Sequence, residues 1–403
     1  MRASRLPWLT VLAVSVPGAR LLIDVAGAIP GRFNDYHAYW LAGRLVAAGG
    51  DPYDRAALVE LAQREGLEFL VGTGYSYPPP FALLMVPLAA LPFDVSAALF
   101  SAVSLMAFGI VIAALVQPLR RPAVLAFAAG AYPPVAGSLF IGQANLLVFG
   151  LLALGFLFLR QGALVTGLAW GGAAVIKLVP IGLLVPLALA RQRQIVLTFL
   201  GSVGLYLVLA ALAVARTSGG TAAMLTLLEP DSYWTNQSLN GVLTRGLEGT
   251  AAAEHTSLMV VGATVLFAGI SLAILWRARG HLGDHRRLVL GQSFILVAAT
   301  IAAPKSSFWN HTPALFGVWA LLVSAPRMSR SDRALVGAWF VLAYLQPHAD
   351  VRAPVGQPLA MLLALVTSSG FLGLAGLWLV LARATLGWGD QLRAVDSASA
   401  NTR

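Results

Sequence analysis

Residues 162–190 read GALVTGLAWGGAAVIKLVPIGLLVPLALA, an apolar run with a single charge, Lys177, near its middle. A membrane span takes about 20 apolar residues, so the run is too long for one ordinary span. Pro180 follows Lys177 closely and removes a backbone donor where a continuous helix would need it. The run therefore reads as two short spans that meet near Lys177 and Pro180. An ammonium inside an apolar helix costs roughly 2.5–3.5 kcal/mol, and snorkelling is awkward so far from both ends. A break at this point instead puts Lys177 at the lip of two spans, within reach of an anionic lipid head group.

The rest of the chain has the same character. Of 403 residues, 58% are hydrophobic and 11% charged, against roughly a quarter charged in soluble domains. Mean hydropathy is +0.78. This is an all-α polytopic membrane protein. Its net charge of +10 comes from short arginine clusters between apolar runs, the pattern of cytoplasmic loops, and no basic face points to nucleic acid. Cysteine is absent, which excludes disulfides, thiolate metal sites and a cysteine nucleophile. Only two of the 27 basic residues are lysines, Lys177 and Lys305.

With the N-terminus inside, the arginines set the orientation. Residues 8–29 form an uncleaved first span and 30–79 a long outer loop. Residues 80–93 are too short and proline-broken to cross and read as re-entrant or in-plane. Spans follow at 95–117, 122–140, 143–159, the divided run 162–190, and 195–215. Residues 216–256 make the second outer loop. Further spans lie at 257–276, 288–303, 308–324, 334–346 and 358–383, and 384–403 is a cytoplasmic tail. The expectation is one integral membrane domain over 1–403, a bundle of about twelve transmembrane helices with two larger outer-face loops. Arg120 and Arg121 fix the orientation of 95–190; a true span at 80–93 would reverse it.

This topology gathers the unusual polar motifs on the outer face. FNDYHAYW (33–40) sets Asp35 at the lip of the first span. A carboxylate there is partly desolvated, which raises its pKa toward that of a useful base. The structural alternative makes Asp35 the N-cap of the following amphipathic helix. In GGDPYDR (49–55) the glycines stop a helix and Asp51 precedes Pro52 at the first turn of the next, with Tyr53 and Asp54 as secondary candidates. Tyr75 and Tyr77 of YSYPPPF read as interface anchors. WTNQSLNG (234–241) offers Asn236, Gln237 and Asn240 as hydroxyl-recognising amides, or an ordinary turn with a cap. APKSSFWNHTP (303–313) brings Lys305, Trp309, Asn310 and His311 to the end of a span. No His or Asp/Glu pair has metal-ligand spacing, so no metal and no cofactor is expected.

One outer-face carboxylate with two lysines and a histidine suits glycosyl transfer from a lipid phosphate. The leaving phosphate needs positive charge, not the second carboxylate that protonates an alcohol in glycosidases, and the acceptor hydroxyl needs one base. An inverting, metal-independent displacement follows. A polyprenyl-phosphate or lipid-linked sugar transporter is the alternative, although transport needs polar access from both faces and the inner loops are short.

The series FNDYHAYW, GGDPY, YPPPFALLMVPLAALPF, GQANLL, AVIKLVP, NQSLNGVLTRG and SSFWNH resembles glycosyltransferase family 87 over about residues 30–320. That family consists of bacterial membrane enzymes of the GT-C fold and includes polyprenyl-phosphate-mannose-dependent α-mannosyltransferases. The resemblance implies a catalytic aspartate at Asp35 and an aromatic-polar-His motif at Trp309, Asn310 and His311, with Asn310 standing where many members are acidic. It implies a polyprenyl phosphosugar donor and a glycolipid or polysaccharide acceptor at the outer, periplasmic face of the bacterial inner membrane. In these terms Lys177, Lys305, His311 and Arg245 hold the donor phosphate. Tyr36, His37, Gln143, Asn145, Asn236, Gln237, Asn240, Trp309 and Asn310 contact sugar or acceptor.

Overall fold

The computed structural model describes residues 6–26, 32–67, 74–119, 122–213, 228–324, 328–346 and 366–387. The described residues are helical, and β pairing among them is limited to a bridge between Asn236 and Ser307. They group into two compact units, residues 1–181 with 197–229, and residues 182–196 with 230–403.

In the first unit, α1 (Leu6–Ala26) is followed by α2 (Asn34–Ala47), which is too short to cross a bilayer at about 1.5 Å per residue. The α3 helix (Arg55–Arg64) starts one turn later than the sequence suggests. Its cap is Asp54, which accepts from the amides of Ala56 and Ala57, while Asp51 accepts from the amide of Tyr53 in an Asx turn. The prolines of YPPPF supply the N-terminus of α4 (Pro79–Ala89), since a first-turn proline loses no intrahelical bond. This 11-residue helix then turns into α5 (Phe93–Leu115). Gly43 of α2 lies against α4 so closely that a Cβ would sit 2.9 Å from that of Ala89. The Trp40 indole donates to the Leu91 carbonyl. Together these contacts pin α2 to the α4–α5 hairpin.

The run 122–140 is broken: α6 (Pro122–Ala131) and α7 (Pro133–Phe140) bend by 42° where Pro133 and Pro134 interrupt the ladder. After α8 (Asn145–Phe158), α9 (Ala163–Ile176) ends at Lys177, whose backbone is extended at φ −139° and ψ 136°. A 3₁₀ turn (Val179–Leu183), α10 (Leu184–Leu189) and α11 (Arg193–Ala213) follow. The break therefore falls at the Lys177–Pro180 segment. Gly167 and Gly171, one turn apart on α9, let α11 approach until their Cα atoms abut Thr198 and Ser202. Such small-residue contacts substitute for a hydrophobic driving force between helices in lipid.

In the second unit, α12 (Leu239–Leu247) is capped by Ser238, and α13 (Thr256–Ala278) follows. Asp284 caps α14 (His285–Ala302), which is buried almost continuously from Leu288 to Ala298 and packs on α10, α15 (Ala314–Ser324) and α17 (Ser369–Leu386). The α16 helix (Arg330–Tyr344) lies along α17. Arg383, the last residue of the final span in the sequence reading, sits in the last turn of α17 and pairs with Asp332 at 3.1 Å.

By length and apolarity, four described helices can cross a membrane: Phe93–Leu115, Arg193–Leu212, Ala253–His281 and Ser369–Leu386. The bent α6–α7 pair makes a fifth. The described residues do not confirm about twelve spans: several apolar runs among them are broken into shorter pieces such as Pro79–Ala89, Asn145–Phe158 and Ala163–Ile176. Exposed leucines and valines such as Leu205, Val208 and Leu212 on α11, and Leu258, Val265 and Leu266 on α13, mark faces suited to lipid. Arg120 and Arg121, residues 216–227 of the second outer loop, and tail residues 388–403 lie outside the described residues.

Candidate functional site

The geometry around Asp35 is set by how α7 ends. Gly142 has a φ of +70°, the left-handed region that suits glycine. Its amide donates to the Leu139 carbonyl and that of Gln143 to the Ser138 carbonyl at 2.7 Å. These two bonds form a Schellman motif and leave the carbonyls of Phe140 and Ile141 pointing outward. The start of α2 docks on them. The Phe33 amide donates to Phe140 at 2.8 Å, and the amides of Asp35 and Tyr36 donate to Ile141 at 2.9 and 3.3 Å.

One helix end thus satisfies the other. The residue before α2 is Phe33, itself left-handed at φ 54°, and no side chain caps the helix. The capping alternative for Asp35 does not hold: main-chain carbonyls serve its first turn, and the carboxylate is left for other work.

That carboxylate accepts a hydrogen bond from the Gln143 side-chain nitrogen. The Gln143 carbonyl oxygen accepts from the Tyr77 hydroxyl at 2.7 Å and from the Lys177 ammonium at 3.0 Å, with the Tyr39 hydroxyl oxygen 3.2 Å away. Lys177 also donates to Asn145 Oδ1 at 2.5 Å, and Asn145 donates to Ser138 Oγ at 2.9 Å. Tyr39 donates to Tyr77 at 2.6 Å. Gln143 and Asn145 are buried, whereas Asp35 and Lys177 keep partial exposure. A carboxylate and an ammonium are thus joined through one amide.

Burial pushes the Asp35 carboxyl up from 3.8 to about 6, against the attraction of Lys177 and the hydrogen bond from Gln143, which both lower it. At pH 7 such a group is ionised yet basic enough to take a proton from a hydroxyl.

Other residues of the same helix turn elsewhere. Tyr36 is fully buried, with its hydroxyl 2.6 Å from that of Ser96, and it packs on Phe93 and Phe100. His37 stacks on Phe93 at 4.4 Å. Burial lowers its imidazole to about 4 despite the attraction of Asp94, so it is neutral at pH 7. Positions two apart on a helix do not share a face, which separates His37 from Asp35. Tyr39, four residues on, does share it. Tyr39 and the hydroxyl role of Tyr77 are absent from the sequence-derived site, although the i, i+4 spacing from Asp35 signals the first.

In the second unit the segments 234–241 and 303–311 meet. Gln237 donates from its amide to the Ser306 carbonyl, and Phe308 donates to Thr235. The side-chain amides close the same structure. Asn236 Oδ1 accepts from Ser238 Oγ and the Ser306 amide, Gln237 Nε2 donates to Thr367 and Trp234, and Asn240 Oδ1 accepts from the Asp231 amide and Thr244. All three are buried.

Arg245 is buried as well. Its guanidinium donates to the carbonyls of Tyr233 and Asn236 at 3.0 and 2.7 Å and to Ser368 Oγ at 2.9 Å. These four residues brace the loop. Lys305 is more open and lies 4.0 Å from an Asp231 oxygen. His311 is buried edge-on against Phe308, while Trp309 and Asn310 are partly exposed. Among the described residues no three His, Asp or Glu side chains converge in a way that could hold a metal.

A model of glycosyltransferase family 87 matches residues 75–304, more than half of the chain. No curated protein matches it.

Proposed function

Because the chain belongs to glycosyltransferase family 87, and is therefore a membrane glycosyltransferase, we propose a specific reaction for it. It moves a hexose, mannose by preference, from a polyprenyl phosphosugar to a glycolipid or polysaccharide acceptor at the outer face of the inner membrane, with inversion and without a metal. Asp35 takes the proton of the acceptor hydroxyl as that oxygen attacks the anomeric carbon. Lys177 stabilises the polyprenyl phosphate as the glycosidic bond to it breaks.

The observation that carries this proposal is the joint hydrogen bonding of Asp35 and Lys177 to Gln143. It brings a carboxylate and an ammonium, each partly exposed, onto one side-chain amide of the first unit. An inverting transfer from a phosphate donor needs those two groups: positive charge where the leaving anion develops and a base with a pKa near the working pH.

The test is transfer of labelled sugar from polyprenyl phosphomannose to a bacterial membrane-lipid extract, wild type against Asp35→Asn. Loss of a single general base reduces the rate by about 10²–10⁴-fold. Full activity in a folded Asp35→Asn protein rules Asp35 out as the base. Product from phosphoarabinose or phosphoglucose donors in place of phosphomannose changes the sugar and leaves the mechanism standing.

A further inference from the structure

Gln143 bonds Asp35 at one end of its amide and Tyr77 and Lys177 at the other, and these bonds leave one orientation open. Lys177 has only donors to offer, so the Gln143 atom 3.0 Å from its ammonium is the carbonyl oxygen. Tyr77 points its hydroxyl at the same oxygen. The nitrogen end therefore faces Asp35, and an ionised carboxylate can only accept. The backbone fixes the base of this side chain too, because Gln143 is the residue whose amide closes the Schellman motif on Ser138.

We infer that Gln143 is the positioning residue of the site: its amide, locked by Tyr77 and Lys177, aims the Asp35 carboxylate and stands between it and the ammonium. The role builds on the proposal that Asp35 is the base. A carboxylate free to swing toward Lys177 would close into an ion pair, which lowers its basicity. A carboxylate without the amide donor would lose a charge-assisted bond and its direction. The charged and titratable groups around Asp35 are Lys177 at the end of α9, Tyr77 before α4, and Tyr39 on its own helix. When Gln143 is shortened or replaced, Asn145 still holds Lys177 at 2.5 Å, so the loss of the amide donor dominates.

The test reads the protonation of Asp35 directly and needs no substrate. In pH-difference infrared spectra of the purified full-length protein, the carboxyl band missing from Asp35→Asn belongs to Asp35. Its midpoint is expected near 6 in the wild type and about one pH unit or more higher in Gln143→Leu. Gln143→Glu keeps the shape of the side chain, so it serves if the leucine variant does not fold. It sets two carboxylates face to face, which pushes the titration of the pair up further. Midpoints within a few tenths of a unit of the wild type in the folded variants overturn the inference.

Sugar transfer is measured alongside, with polyprenyl phosphomannose as the probe. A drop in kcat of about tenfold or more with a small change in donor KM agrees with lost positioning. If Asp35→Asn is inactive and the band does not move, the base survives and the role of Gln143 falls. If the band moves and Asp35→Asn is fully active, Gln143 still orients the carboxylate, and the base assignment falls instead.

Discussion

Replacing Gly142 by alanine attacks the site through its backbone, without touching any of its polar groups. Two costs add. Holding an alanine in the left-handed region costs about 1–2 kcal/mol. The new Cβ would also lie 2.6 Å from the Cβ of Tyr36 and 3.4 Å from Cδ1 of Phe33. Comfortable carbon contacts are about 3.5–4.0 Å, so Tyr36 or the turn must move by about 1 Å. Forcing a methyl into such a place costs about 1–3 kcal/mol. The sum is about 2–5 kcal/mol.

The movement falls on the three amides that dock α2 on Phe140 and Ile141, and so on Asp35. A shift of 1 Å at a reacting group can cost about 10²-fold in rate. Gly49→Ala is the control: Gly49 has a φ of +73° with nothing within 4 Å of an added Cβ, so it isolates the conformational cost. The assay is the thermal transition of both variants in detergent, followed by sugar transfer. Gly142→Ala should melt well below Gly49→Ala and transfer sugar about 10–100 times more slowly than wild type. If the two variants behave alike and remain fully active, the docking of α2 on the end of α7 does not set the base.

Two further outcomes follow from the same structure. The carboxylate of Asp35 is the active form and its pKa is raised, so the limiting rate should climb as pH rises through about 6; a rate unchanged down to pH 4.5 contradicts Asp35 as the base. Arg245→Lys keeps the charge but cannot reach two carbonyls and a hydroxyl at once. It should lower the thermal transition by the equivalent of about 1–3 kcal/mol with an unchanged donor KM, whereas weaker donor binding at unchanged stability would return Arg245 to the phosphate.

Much of the site around Asp35 is legible in the sequence, because polarity is scarce there. Asp35, Gln143, Asn145 and Lys177 stand out against apolar neighbours, and a buried polar group in such surroundings needs a partner. What the sequence hides is which group partners which. Gln143 reads as a sugar contact until the Schellman motif shows where its side chain starts. Tyr77 reads as an interface anchor until its hydroxyl is seen on Gln143.

The amides of 234–241 can be read two ways for a related reason. Donors and acceptors that suit a sugar hydroxyl also suit a strand-like backbone, and the Ser306–Phe308 segment that takes them up lies some 70 residues away. Helix count is the other gap. Apolar runs announce membrane segments, but whether a run such as 122–140 continues through its prolines or bends at them depends on packing against α1 and α8.

The polar cluster of the first unit also limits how the site can change. Gln143 holds Asp35 at its nitrogen and Lys177 and Tyr77 at its oxygen. Removing any one partner leaves another buried group unsatisfied, at about 1–3 kcal/mol and more for a charge. The positions are therefore interdependent, and single substitutions should cost more than compensated pairs. Gln143→Glu illustrates this. Alone it sets two carboxylates against each other. Joined to Asp35→Asn it restores one donor facing one acceptor, with the negative charge moved onto the lysine side. The double variant should then recover the stability lost by Gln143→Glu, but not the transfer activity, because its carboxylate faces Lys177 and no longer occupies the place from which Asp35 reaches the acceptor.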